Sequence, residues 1–198
     1  MAIKLLALAL LLVTMQAVSS PALAYDWVKN PSNGHMYILV DNNTSWQNAE
    51  DKAVALGGHL ATIRSQAEND WIFNFVLSVT GSSVYGAWIG LYQLPGSQEP
   101  AGGWVWSSGE EPSYTHWQTS TGEPNDYYGN GSENWAKMYI RQHDWDEIPT
   151  YWNDTIFYEP SRPDTVGIVE VVPEPAGMMA LGGGLVGFAG IIRRKPRR

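Results

Sequence analysis

The chain has 198 residues, 44% of them hydrophobic, with ten tryptophans and no cysteine. Between residues 25 and 172 six Lys and Arg face 19 Asp and Glu, a net charge of −13. That balance argues against nucleic acid and anionic membrane surfaces as partners. The missing cysteines exclude a disulfide framework, a thiolate nucleophile and a cysteine–zinc site.

The N-terminus reads as a signal peptide over residues 1–24: Lys4 in a positive n-region, an apolar run from Leu5 to Val13, and an Ala22-Leu23-Ala24 cleavage site. The apolar run is too short to span a bilayer. The stretch 25–172 then suits one domain. It opens with a turn around Asn30–Gly34 and a strand at Met36–Val40. Thr44 or Ser45 caps a helix reaching about Leu56, with Trp46, Ala49, Ala53 and Leu56 on one face and Gly57-Gly58 as its stop. His59 is read as structural and not as a ligand. Ser65-Gln66-Ala67-Glu68 is a capping box, and its helix runs to about Val79 with Trp71, Ile72, Phe75, Val76 and Val79 inward.

Trp88–Leu91 reads as a central buried strand and Trp104–Trp106 as another, their tryptophans core residues before sugar platforms. His116-Trp117 supports the loop after it. Further strands are expected at Asn134–Ile140, Ile156–Tyr158 and Thr165–Val171. Two helices followed by short strands and long loops give an α+β class.

The chemistry concentrates between Glu123 and Asp154. This stretch holds Glu123-Pro124-Asn125, Asp126, Glu133-Asn134 and Trp152-Asn153-Asp154, with the single histidine His143. Calcium takes about six to eight oxygens from carboxylates, amide carbonyls, backbone and water. The oxygen-rich set therefore suits Ca²⁺ and not zinc. Its members sit on two segments, so only a folded domain unites them. Asn/Asp/Gly-rich loops are also ordinary turns, and the spacing has to decide.

Four landmarks stand in order: Gly58-His59-Leu60-Ala61-Thr62-Ile63 with Glu68 following, Trp88-Ile89-Gly90-Leu91, Glu123-Pro124-Asn125, and Trp152-Asn153-Asp154. Together, over about residues 33–171, they resemble the C-type lectin domain family. The resemblance implies an α+β C-type lectin-like fold, two helices packed on small antiparallel sheets with a long calcium-binding loop region. It also implies that Glu123, Asn125, Glu133, Asn153 and Asp154 hold calcium and contact sugar, with Pro124 cis. In the family Glu-Pro-Asn goes with mannose-, glucose- and fucose-type hydroxyl pairs, and Gln-Pro-Asp with galactose. Two vicinal hydroxyls can complete the calcium shell, each donating to a carboxylate and accepting from an Asn amide. Tyr127 and Tyr128 sit where a ring could cover such a sugar or simply belong to the loop. Some members carry an auxiliary calcium site with acids where this chain reads Tyr92-Gln93-Leu94. No full second site is expected around Asp126, and Asp144-Trp145-Asp146-Glu147 has no assigned role.

The C-terminus joins Val172-Pro173-Glu174-Pro175 to an apolar, Gly-rich run from Ala176 to Ile192 and a basic end, Arg193 to Arg198. It resembles the PEP-CTERM sorting signal of Gram-negative bacteria, whose processing enzyme is an exosortase. A plain tail anchor with a Gly183-x-x-x-Gly187 packing face is the competing reading. Over 173–198 the expectation is a sorting signal with a short transmembrane segment and basic tail. The protein would be exported to the cell envelope or beyond, membrane-anchored only transiently. These readings converge on a secreted calcium-dependent carbohydrate-binding module acting on an extracellular glycan or exopolysaccharide. A protein-binding or structural extracellular-matrix domain is the alternative. Glycosidase chemistry by a pair among Glu123, Glu133 and Asp154 is disfavoured by the metal-loop context, and His116 and His143 have no Ser or Cys partner at a catalytic spacing.

Overall fold

The computed structural model describes residues 26–41, 45–142, 147–156 and 164–173. The segment read as a signal peptide, Thr44, His143, Asp144–Asp146 and the tail beyond Pro173 lie outside the described residues. So does the apolar run read as a transmembrane segment. Among the described residues no helix is long and apolar enough to cross a membrane.

Strands β1 (Val28–Lys29) and β2 (Met36–Val40) form an N-terminal hairpin closed by the Asn30–Gly34 turn. Helix α1 (Trp46–Ala55) is capped by Ser45, whose side chain accepts from the Asn48 amide. Trp46, Ala49 and Ala53 are buried as their spacing requires, but Leu56 is 45% exposed. It lies past the last helical residue, where the turn has already swung outward. Strand β3 (His59–Leu60) leads to helix α2 (Gln66–Thr80), capped by Ser65 accepting from the Glu68 amide. Glu68 reaches back one residue further than a capping box requires, accepting from the Arg64 amide at 2.8 Å. Ile72, Phe75 and Val76 are buried, Trp71 is partly so, and Val79 is exposed in the last turn.

Strands β4 (Gly86–Gln93), β5 (Trp104–Trp106), β6 (Trp135–Tyr139), β7 (Trp152–Thr155) and β8 (Thr165–Val171) complete the set. The α+β class holds. The described strands join as one eight-stranded sheet in the order β1-β2-β8-β4-β6-β7, with β3 on β8 and β5 on β4. Most pairs are antiparallel; β4 and β8 run parallel, Gly86 beside Thr165. The strand expected at Ile156–Tyr158 falls earlier: β7 is built from the Trp-Asn-Asp segment itself, Ile156 lies beyond its end, and residues 157–158 are outside the description.

Two landmark glycines have a steric cause. A Cβ on Gly58 would stand 2.0 Å from the Glu170 carbonyl oxygen, and one on Gly90 2.5 Å from that of Leu60. Neither position admits a side chain. Trp88 and Trp106 are core residues, as expected. His59 is structural: its Nδ1 lies 2.6 Å from Glu50 Oε1, while Glu50 Oε2 accepts from the Leu60 amide and the Ser107 hydroxyl.

Candidate functional site

The site rests on an aromatic floor. Trp117 packs edge-on against Trp104, ring centroids 4.8 Å apart, and against the fully buried Trp152 at 5.9 Å. The Trp152 amide donates to the His116 carbonyl and the Gln118 amide to the Trp152 carbonyl, both at 2.9 Å, which locks the approach to the loop against β7. The His116 ring stacks on Tyr151 at 4.3 Å and Tyr114 at 6.0 Å. Burial lowers its pKa, and its stacking between two tyrosines is in line with the supporting role expected of His116-Trp117.

The next turn aims the first carboxylate. The Gln118 carbonyl accepts from the amides of Thr121 and Glu123, and the Thr121 hydroxyl donates to Glu123 Oε1 at 3.2 Å. The Glu123-Pro124 peptide bond is cis. Asp154, on β7, then ties the loop back to the sheet. Its carboxylate accepts from the Asn125 amide at 3.0 Å and the Asp126 amide at 2.8 Å.

Asp126 closes the loop on itself. At φ 44, it turns the chain so that its two carboxylate oxygens accept from Gly131 at 2.9 Å and Ser132 at 3.0 Å. Those backbone donors hold its pKa low. The sequence offers Asp126 no obvious partners, and nothing in residue type alone reveals a clasp onto an amide five residues on. The clasp fixes the direction of Glu133, which also accepts from the backbone of Tyr127 and Tyr128. Those two rings meet edge-on and are 78% and 63% exposed.

All five residues singled out in the sequence meet here. Asn153 on β7 hydrogen-bonds Glu123, and Asp154 faces both Glu123 and Glu133. Glu123, Glu133 and Asp154 are 8%, 5% and 1% exposed, a crowding that three carboxyl groups tolerate only with protons or counter-charge. Burial, then Asp154, pushes Glu123 up to about 8. The same two causes push Glu133 up to about 7. The Lys137 ammonium, on the cross-strand neighbour of Asn153, is directed over the Tyr85 ring, 4.8 Å from its centroid.

The donor set fits a hard cation. Glu123 Oε2, Asn125 Oδ1 and Glu133 Oε2 are buried with no hydrogen-bond partner among the described residues. Native interiors leave few such atoms unsatisfied. Here several oxygens are left without partners beside raised carboxyl groups, a donor set that suits an oxygen-seeking cation better than zinc.

A family model described as the lectin C-type domain matches residues 42–154, more than half of the chain. A PEP-CTERM protein-sorting motif matches residues 171–195, starting at the last residue of β8. Ladderlectin of Oncorhynchus mykiss is 34% identical over 93 residues, 47% of this chain and 45% of that one. Lectin BRA-3 of Megabalanus rosa is 30% identical over 131 residues, 65% of this chain and 67% of that one. The chain thus spans less than half the length of the first of these relatives. The crystal structure of the C-type lectin CEL-I from Cucumaria echinata superposes with a TM-score of 0.57 at 22% identity, covering 74% of this chain and 95% of that one. The matched family is one of lectin domains, and this chain is not an enzyme. The chain belongs to the C-type lectin domain family and carries a PEP-CTERM sorting motif.

Proposed function

We propose that residues 25–172 are an exported, calcium-dependent carbohydrate-binding domain that takes mannose-, glucose- or fucose-type hydroxyl pairs from an extracellular glycan or exopolysaccharide. The observation that carries this is the group of buried, unpartnered oxygens on Glu123, Asn125 and Glu133 around a loop pinned by Asp154. Glu123, Asn125, Glu133, Asn153 and Asp154 would hold the ion. When bound, calcium supplies open coordination positions that two vicinal hydroxyls can fill.

The chain's own residues do the selecting. Glu123 and Glu133 accept hydrogen bonds and Asn125 and Asn153 donate them, so each hydroxyl finds one acceptor and one donor. Pinning Asn125 through its backbone amide leaves its side chain to face the ligand. The Asp126 clasp does the same for Glu133. The tail beyond β8 adds the route: export, brief retention in the membrane through the apolar run 176–192, and processing by an exosortase-type enzyme. A glycan array probed with the purified domain in calcium and in EDTA tests the reading. Retention of mannose-, glucose- or fucose-bearing glycans only in calcium supports it; binding unaffected by EDTA, or no binding to any glycan, overturns it.

A further inference from the structure

A groove of about 580 Å³ opens on the flank of the same loop, between the 95–99 turn and Asn130-Gly131. Its floor and walls include Tyr92, Trp135, Gln47, Gln93, Asn134 and Glu99. None of the five candidate calcium ligands lines it, so a ligand held here would touch none of them. Tyr92 is held by a tilted contact with Trp46, ring centroids 5.3 Å apart. Glu99 packs against Gly131, where a Cβ would stand 2.8 Å from its Oε1.

The second observation is Gln93. It is 3% exposed, and its Nε2 donates to the Gly102 carbonyl at 2.8 Å and the Pro100 carbonyl at 3.3 Å. Two carbonyl partners fix which end of the amide is nitrogen. The other end, Oε1, is left buried with no partner among the described residues. A buried acceptor left unsatisfied costs about 1–3 kcal/mol, so a donor that reached Oε1 from the groove, with a small shift of the wall that covers it, would be favoured.

The lining also says what kind of donor. Two aromatic side chains with amides around them offer faces to C–H groups and hydrogen bonds to hydroxyls. Among the described residues no Lys, Arg or His lines the groove, and its one charge is the carboxylate of Glu99. Phosphate, sulfate and uronate ligands are thereby disfavoured. We infer that this groove is a second saccharide subsite for a neutral hexose, held without direct contact to the ion by Gln93, Asn134, Tyr92 and Trp135 and by hydrogen bonds from Gln47 and Asn130 at the rim. One sugar chain crossing the loop would then be read at two places by one domain.

The test is a titration of the ¹⁵N-labelled 25–173 domain, kept in calcium, with the methyl glycosides of mannose, glucose, galactose and N-acetylglucosamine. The expected result is saturable shifts of the Gln93 and Asn134 side-chain amides and the Trp135 indole. A Gln47→Ala/Asn130→Gly variant changes two exposed rim residues, and glycine keeps the positive φ of 62° at position 130. It should weaken these shifts about tenfold and leave those of the Asn125 and Asn153 amides intact. No shift in the groove set with any glycoside up to about 50 mM, far above millimolar affinity, overturns the inference. Groove shifts of undiminished affinity in the variant overturn it too. Shifts confined to Asn125 and Asn153 uphold the calcium reading and sink this one, whereas groove shifts alone do the reverse.

Discussion

Two regions of this domain bury carboxylates, and they solve the problem differently. Under the N-terminal hairpin, Glu68 and Glu170 are each 5% exposed. The Arg64 guanidinium lies 3.0 Å from Glu68 Oε1 and 2.9 Å from Glu170 Oε1. The Tyr37 hydroxyl lies 2.9 and 3.0 Å from the same two oxygens, and Asn33 donates to Glu68. The remaining oxygens accept from the backbone amides of Arg64 and Thr62. His35 joins through Glu170, so the trio His35, Glu68 and Glu170 has the outline of a metal site. Arg64, which also pairs with Glu110, brings one positive charge to it, and every carboxylate oxygen of Glu68 and Glu170 already has a hydrogen-bond donor. In the 123–154 loop the acids are about as deeply buried, but two carboxyl oxygens have no hydrogen-bond partner among the described residues, and their charge is offset by protons or by a cation. The two clusters differ in whether the chain itself satisfies the oxygens of its buried acids.

The largest effect should come from breaking the self-sufficient cluster. Arg64→Met leaves Glu68 and Glu170 buried and uncompensated, and losing one partner of a buried ion pair costs about 3–5 kcal/mol. Thermal unfolding should show a lower Tm by a similar amount in calcium and in EDTA. A drop seen only in calcium would show that the two clusters are not independent.

Removing calcium from the second cluster should act on the loop. An ion bound only by the folded state stabilises it by about 2.7 kcal/mol at a hundredfold excess over Kd. EDTA should lower Tm and expose the 123–134 stretch to protease, while Asp154→Ala abolishes both calcium and glycan binding. Identical melts and digests with and without calcium would refute the site.

The acids also set a pH dependence with a definite sign. Without an ion, Glu123 at about 8 and Glu133 at about 7 bind protons more tightly folded than unfolded, where the ordinary value is 4.5. Their contribution is therefore fully present below about 4.5 and lost as pH rises through 7 and 8. In EDTA, stability from these two groups should fall between pH 5 and 8. In calcium the ion replaces the protons, so the Tm gain from calcium should grow over the same interval. A gain that shrinks towards pH 8 contradicts the assignment.

Most of the fold was legible in the sequence because its signals are local. Ser45 and Ser65 cap where the hydroxyl spacing says, and the motif glycines Gly58 and Gly90 sit where a side chain cannot. Leu56 and Val79 misled because helical periodicity does not see where the helix ends. The convergence of Glu123, Asn125, Asn153 and Asp154 was legible because Glu-Pro-Asn and Trp-Asn-Asp are contiguous. What holds it was not. The Asp126 clasp, the double acceptance by Asp154 and the Gln93 groove depend on backbone amides and loop crossings that residue types do not encode.

The smallest and most specific effect concerns the sugar. Glu123→Gln with Asn125→Asp keeps the charge and the number of oxygens but exchanges acceptor and donor. It should keep calcium and lose mannose-type ligands by about 1–3 kcal/mol, with weak galactose binding as the gain. Unchanged sugar affinity would mean these two side chains do not touch the ligand.

The central claim is that the unpartnered oxygens hold one calcium ion, and calorimetric titration of calcium into the domain tests it most directly. At pH 7 one ion should bind per chain with proton release, seen as a heat that varies with buffer, because Glu123 and Glu133 must give up protons. Asp154→Ala should bind none. No saturable heat in the wild type, or the same isotherm in the variant, would contradict it.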